Sequence, residues 1–559
     1  MEEQHFTPTP EENKAAPSRR RPRASTAQPL YFGATLIIGI LIGTYLADSN
    51  LLTIKTGAEE NPNKLVTLID YIEETYVDSV DKKRLIDDAI ESILSHLDPH
   101  SYYINPDELA AAKEKMNGEY QGIGMEFMIL RDTLRVVKTM SNSPAQLGGL
   151  MMGDKIVEVD GKSIANQKLS NDKVQKLIKG KSGTEVQLKV LRKGQSNPLI
   201  ITLKRGNIPI ESVSASFKIA PQIGYVKIES FAHTTFEEFQ KAMRQLIAED
   251  CKSVILDLRG NGGGLLDQSF LIAESFLPKD KLVLYTKGIH FPQKNYLTTQ
   301  DGEFRNMEVT VLVDQNSASA SEILAGALQD WDKSTTVGRR TFGKGLVQHE
   351  IELPDRSAFR LTIARYYTPT GRCIQKPYSD SATYDDDFAH RYVSGELFHS
   401  DSIAKNDSVK FKTPGGKIVY GSGGITPEIF IPLDTSNNIL LSKIATTSLL
   451  RDLCFEFIEH NQKSLSKFKT EDDFVNHFKV PDALINQLYT ELKKANVLVH
   501  NKEWQLGKSE VKNRMKANIG RYLFTDNAVQ KVILTEDKEL QKAIEVSKSK
   551  LKSDNKTKH

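Results

Sequence analysis

Apolar residues fall at helical spacing in two early stretches, first Leu65, Ile69, Ile72 and Val77, then Leu85, Ile86, Ala89, Ile90, Ile93 and Leu94. The spacing predicts an amphipathic helical region within 62–118, stopped at Leu97-Asp98-Pro99-His100, where the proline disfavours helical geometry before it. From residue 119 the apolar runs shorten to strand length: 124–129, 134–137, 155–159, 186–190 and 199–203. Ser143-Pro144-Ala145 opens a short helix among them, Asp160-Gly161 marks a hairpin turn, and 171–178 reads as a second helix. A small β-rich domain over 119–206 follows. Beyond it, strands at 224–228, 253–258 and 309–313 alternate with helices at 235–247, 266–276 and 321–331. That alternation predicts an α/β core with crossover helices over 207–432. Helical periodicity returns after Pro432 and lasts to Ile544, so 433–559 reads as a helical region to which no chemistry is assigned.

One stretch departs from soluble patterning. Residues 30–47 carry no charge over 18 positions, enough for a helix of about 27 Å, close to a bilayer core. Arg19, Arg20, Arg21 and Arg23 precede it, and Asp48, Glu59 and Glu60 follow. This asymmetry predicts a single-pass anchor in the inner (cytoplasmic) membrane, with 1–29 as a disordered cytoplasmic tail. The rest would then be extracytoplasmic, periplasmic in a Gram-negative cell. A cleaved signal peptide competes, but no small-x-small site follows the apolar run.

Across the 559 residues, 39% are apolar and 26% charged, and 74 Lys and Arg balance 72 Asp and Glu. A net charge of +2 gives no support to nucleic-acid binding. Cys251, Cys373 and Cys454 are widely spaced and odd in number, which excludes a disulfide scaffold, and no Cys/His cluster suggests zinc. No metal and no organic cofactor is expected.

Gly338 to Lys344 has the G-x-x-x-x-G-K spacing of a phosphate loop, but Gly345 stands where a Ser or Thr should bind magnesium. The residues after it alternate as a strand instead of opening a helix. No G-x-S-x-G or H-E-x-x-H occurs. The informative run is Asn316-Ser317-Ala318-Ser319-Ala320-Ser321-Glu322-Ile323, between a buried strand and a helix. A serine there sits beside free backbone N–H groups and the positive end of a helix dipole, which suits an oxyanion. The ordinary alternative is an N-cap in a tight loop. A serine nucleophile needs a base, and Lys344 can serve if burial lowers its pKa; its chain neighbours Phe342, Gly343, Gly345, Leu346 and Val347 include no carboxylate. Gln348, four residues on, could orient the amine.

Two resemblances join these pieces. Tyr120-Gln121-Gly122-Ile123-Gly124 and Gly153-Asp154-Lys155-Ile156-Val157-Glu158-Val159-Asp160-Gly161 resemble a PDZ domain. That likeness implies a carboxylate-binding loop and strand at Gly122, Ile123, Gly124 and Met125, with Leu177 and Ile178 lining a pocket for an apolar terminal side chain. The run Ser317 to Glu322, then Ala325 to Asp330, Thr341 to Gln348, Asp257 to Gly264, Leu97 to Ser101, Tyr366 to Arg372 and Gly421 to Pro427 together resemble the C-terminal processing peptidases. The resemblance spans about 65 to 430. It implies Ser319 as nucleophile, Lys344 as base, Gln348 as its orienting partner, and backbone N–H groups of Ala320 and Gly263, to within one residue, as the oxyanion hole. The expected protein is an α/β multidomain, membrane-anchored serine endopeptidase that binds protein or peptide substrates by their C-termini. Its rival is an inactive PDZ scaffold; homo-oligomer formation is left open.

Overall fold

The computed structural model describes Gly39, residues 64–378, Tyr384, and residues 386–403, 409–434 and 438–557. Its central sheet has six strands that lie side by side in chain order: β1 (Val213–Ala220), β2 (Ile223–Ile228), β3 (Ser253–Asp257), β4 (Glu308–Val313), β5 (Ser334–Gly338) and β6 (Ile429–Phe430). β1 and β2 form an antiparallel pair, and every later neighbour is parallel. β3 is buried throughout and β4 at all but its first residue, which is why both read as continuous apolar runs.

Helices Thr235–Ala248, Leu266–Glu274 and α1 (Ala320–Asp330) cover one face of the sheet, with Phe239, Met243, Ile272, Leu324 and Leu328 packed on Val254, Leu256 and Val311. The other face carries Phe217, Tyr225, Ile255, Leu312 and Val337, and is covered by Leu534 together with Leu540 and Ala543 of α2 (Lys538–Thr557). The C-terminal region thus supplies one layer of the α/β core. A second sheet holds Tyr102–Ile104, Leu282–Lys287, Lys294–Leu297, Leu346–Glu352 and Ala358–Tyr367. The strand from Leu346 is the one predicted after Lys344.

The β-rich domain forms a sheet in the order Met125–Leu130, Thr133–Thr139, Lys155–Val159, Glu185–Leu191 and Leu199–Lys204. Its helix Asn171–Ile178 has the predicted bounds. Met125–Leu130 lies at the edge of that order and, among the described residues, pairs only with Thr133–Thr139. Helices from Asn438–Ala445 to Asn501–Leu523 enclose a core of their own around Phe474, Ile485, Leu488, Val511 and Met515. They grip the β-rich domain through ions: Arg135 Nη1 donates to both oxygens of Glu459 at 2.8 Å, and Lys138 Nζ to the Phe524 carbonyl at 2.6 Å.

The chain divides into two compact units, residues up to Ile86 and those from Asp87. In the first, helix Lys64–Thr75 carries Asp70 and Glu73, which Lys82 bridges at 2.8 and 2.6 Å. The helical region splits at 76–81 into Lys64–Thr75 and Lys82–Ser95, and a third helix, Pro106–Asn117, follows. Apart from Gly39, the anchor expected over 30–47 lies outside the described residues. Among those described, no helix is long and apolar enough to cross a membrane.

Candidate active site

Strand β4 ends at Val313, a tight loop follows, and Ser319 occupies the N-cap position of α1. Its backbone has φ +55° and ψ −114°, a region a non-glycine residue enters only under strain of about 1–3 kcal/mol. The surroundings that enforce it are specific. Ser317, fully buried, donates to the Leu258 carbonyl at 2.9 Å, and Ser321, also fully buried, to the Asn261 carbonyl at 2.9 Å. Two of the three serines are therefore structural. Ser319 is the one that lines an open cleft of about 560 Å³, together with Gly262, Gly263, Gly264, Lys344, Gln348 and Tyr366.

The group that unites the cleft is Glu322, which is fully buried. Its Oε2 accepts the backbone N–H of Ser319 at 2.9 Å and that of Lys344 at 2.8 Å. Its Oε1 accepts Gly343 N at 2.7 Å and the Thr341 hydroxyl at 2.5 Å. The Thr341 hydroxyl itself accepts from Ile425 N, so its proton points to Glu322. Burial raises the Glu322 carboxyl above its ordinary pKa, and these donors counter the rise. The Tyr366 hydroxyl in turn reaches the carbonyls of Ser319 (3.0 Å) and Lys344 (2.6 Å). Two segments 25 positions apart in sequence are thus tied together through both their N–H groups and their carbonyls.

Lys344 is partly buried, and burial lowers its pKa below the ordinary lysine value; the positive charge of Arg360 lowers it further. Glu322 and Asp98 act in the other direction. The chain neighbours of Lys344 carry no carboxylate, as expected, but the fold brings one to it. Glu322, distant along the chain, accepts from its backbone, but desolvation still decides the direction of the shift. Gln348 lines the same cleft, yet its amide nitrogen donates to the His100 carbonyl and not to Lys344. Its oxygen is the end that remains to accept from an amine.

The glycine loop packs flush against the serine. A side-chain carbon at Gly263 (φ +104°) would lie 2.8 Å from both the Ala318 carbonyl oxygen and Ser319 Cβ. Its N–H, however, donates to Asn261 Oδ1 at 2.8 Å. Gly263 is thus a spacer whose N–H is engaged, while its neighbours Gly262 and Gly264, within the one-residue range expected, also line the cleft. Ala320 N–H, the first of α1, finds no acceptor among the described residues.

A second groove of about 620 Å³ runs along the edge strand of the β-rich domain, lined by Gly122, Ile123, Gly124, Met125, Phe127, Gln175 and Ile178. The carbonyls of Ile123 and Gly124 are taken up by Ala145 N (2.7 Å) and Met140 N (2.9 Å). Ile178 lines the groove as expected. Leu177 instead packs partly buried against the domain core. Helix Pro106–Asn117 borders both sites, giving Ala112, Lys115 and Met116 to the cleft and Glu114 to the groove.

Glu322 and Tyr366 were not singled out from sequence. Glu322 had a usable signal, since an acid three residues after an N-cap serine is capping-box spacing. Tyr366 had none, because its role depends on strand pairing.

Residues 222–381 match the model of peptidase family S41, 121–203 that of the PDZ domain, and 440–526 that of a family of unknown function, DUF8443. Over 354 residues the chain is 34% identical to a carboxy-terminal-processing protease of Bartonella bacilliformis, covering 61% of this chain and 80% of that protein. It is 35% identical over 317 residues to the carboxy-terminal processing protease CtpB of Bacillus subtilis, covering 56% and 65%. The solved photosystem II D1 C-terminal processing protease is similar at 24% identity, over 66% of this chain and 92% of its own, with a TM-score of 0.34. With four-fifths of the Bartonella protein covered at this identity, and a strained serine in a glycine-lined cleft, the chain belongs to the C-terminal processing peptidases, serine-type peptidases of family S41.

Proposed function

We propose that this protein is a membrane-anchored endopeptidase that captures substrate C-termini in its PDZ groove and cuts them with a Ser319–Lys344 dyad. The observation that carries the reading is the shared Glu322 oxygen, which fixes the backbones of serine and lysine to each other within one cleft. Neutral Lys344 Nζ takes the proton of Ser319 Oγ as the oxygen attacks a peptide carbonyl carbon. The Ala320 N–H and an N–H of the glycine loop stabilise the tetrahedral oxyanion. Lys344 then gives its proton to the leaving amine, and the C–N bond breaks. Water, deprotonated by Lys344, releases the acyl group and restores Ser319. Gln348, held on the His100 carbonyl, keeps the amine in place.

The apolar run at 30–47 and the arginines before it support an inner-membrane anchor with the catalytic part outside the cytoplasm. Incubation with an unstructured protein ending in apolar residues tests the activity. Wild type should cleave it, and Ser319→Ala and Lys344→Ala should fall to background while melting as cooperatively as wild type. Cleavage by Ser319→Ala would remove the dyad.

A further inference from the structure

Three neighbouring strands deliver the candidate chemistry, and Glu539 of helix α2, with Asp537 just before that helix, reaches the ends of two of them. Arg259 lies just past β3 and opens the glycine loop. Arg339 follows β5, five residues before Lys344, and β4, which leads to Ser319, lies between them. Arg259 Nη1 donates to Asp537 Oδ2 at 2.7 Å and to Glu539 Oε2 at 2.8 Å. Arg339 Nη1 donates to the other oxygen of Glu539. One carboxylate thus holds the arginine of the oxyanion loop and the arginine of the base loop, on either side of the nucleophile's strand. Arg339 also gives Nε to Gln315 Oε1 at 2.9 Å, in the loop between β4 and Ser319.

The cluster is closed and charge-balanced. Asp257 receives Arg259 through Nε at 3.0 Å and Nη2 at 2.6 Å, and Lys227 donates to the Arg259 carbonyl while lying 3.6 Å from Asp257. Arg339 is 6% and Glu539 9% exposed, so little water can replace the pair. Docking of α2 has other supports. Leu540 and Ala543 are buried against the sheet, and the Ser547 and Thr310 hydroxyls meet at 3.0 Å. Removing the Glu539 charge would therefore leave the helix seated while weakening the carboxylate link that joins the two arginines.

We infer that Glu539, assisted by Asp537, is a positioning residue for the hydrolytic centre, setting the spacing of the oxyanion and base loops through Arg259 and Arg339. A region outside the peptidase and PDZ matches thereby takes part in the reaction. The inference rests on the Ser–Lys reading, since it names the loops by the roles given there. It predicts an effect on turnover, because a displaced loop loses transition-state geometry while the cleft that binds a peptide is unchanged.

The test is hydrolysis of a short fluorogenic peptide, with kcat expressed per Ser319 titrated by a fluorophosphonate. Glu539→Gln should lower kcat by about 10- to 100-fold with KM within about twofold. Asp537→Asn, which removes one contact to Arg259, should lower it by about threefold. The double variant Arg339→Gln/Glu539→Gln should be no worse than its worse single, because the two act as one unit. Lys542→Ala, partly exposed on the same helix, should match wild type. Unchanged kcat per titrated serine in Glu539→Gln, or losses that multiply in the double variant, would overturn the inference. If Glu539→Gln does not fold, Asp537→Asn decides, and wild-type kcat there overturns it. A wild type no faster than Ser319→Ala would instead overturn the Ser–Lys reading, and this inference with it.

Discussion

Ser319 and Lys344 donate their backbone N–H groups to the same oxygen of Glu322, at 2.9 and 2.8 Å. The side chains of the proposed dyad therefore start from backbones whose separation is set by one buried carboxylate. Glu322→Gln replaces one acceptor oxygen with an NH₂ group that faces donors. At least two buried N–H or O–H groups would lose their partner, at about 1–3 kcal/mol each. Thermal unfolding should show a loss of several kcal/mol. Activity assayed below the melting point should fall by about 100-fold, the cost of roughly an ångström of misplacement. Wild-type turnover in Glu322→Gln would show that the carboxylate is not what spaces the pair.

The buried lysine should be a stability cost. Burial, then Arg360, lowers the Lys344 pKa in the folded protein. Between that value and the unfolded value of about 10.4, the unfolded chain binds more protons, so this group's contribution makes stability rise with pH across the window. Lys344→Met removes the cost, so it should melt above wild type at pH 7 while hydrolysing nothing. Its advantage should shrink as the pH rises through that window and be smallest above the free-lysine value. In wild type, activity should climb along one ionisation below about 10.4. Lys344→Arg should be inactive, because a guanidinium stays protonated.

Gly263 should tolerate no side chain. A Cβ there would meet Ser319 Cβ and the Ala318 carbonyl oxygen at 2.8 Å, and its φ of +104° already disfavours any L residue. Gly263→Ala should lower kcat by about 100-fold or more, with KM little changed. A raised KM with kcat unchanged would point to disturbed substrate binding instead.

The groove along Met125–Leu130 should read a free carboxylate. An amidated tail forfeits charge-assisted hydrogen bonds of about 1.5–3 kcal/mol each, so kcat/KM for substrates ending in apolar residues should drop by about tenfold or more on amidation. Competition by free peptides of the same tail, with amidated ones inert, would be the matching binding result. Equal cleavage of both forms would remove the groove from substrate choice.

Much of this site was legible in the chain because its parts are local. Ser319 sits where an apolar strand gives way to an apolar-faced helix, and period alone marks that junction. Helix Asn171–Ile178 and strand Lys155–Val159 have the bounds their patterns predict. What escaped depends on pairing across the chain. Tyr366 reaches the Ser319 and Lys344 carbonyls only because Ala358–Tyr367 pairs with Leu346–Glu352, a register no single stretch encodes. The Gly263 N–H is engaged by a side chain two residues away, which only the loop's actual path reveals. Glu539 lies 200 positions from Arg339 along the chain, in a region whose helical periodicity assigns it no chemistry.

The most direct measurement is the site of covalent attack. Wild-type enzyme treated with a fluorophosphonate and mapped by mass spectrometry should carry the adduct on Ser319 alone among the serines 317, 319 and 321. Labelling should speed up with rising pH and be lost in Lys344→Ala. An adduct on Ser317 or Ser321, or undiminished labelling of Ser319 without Lys344, would contradict a nucleophile activated by that lysine.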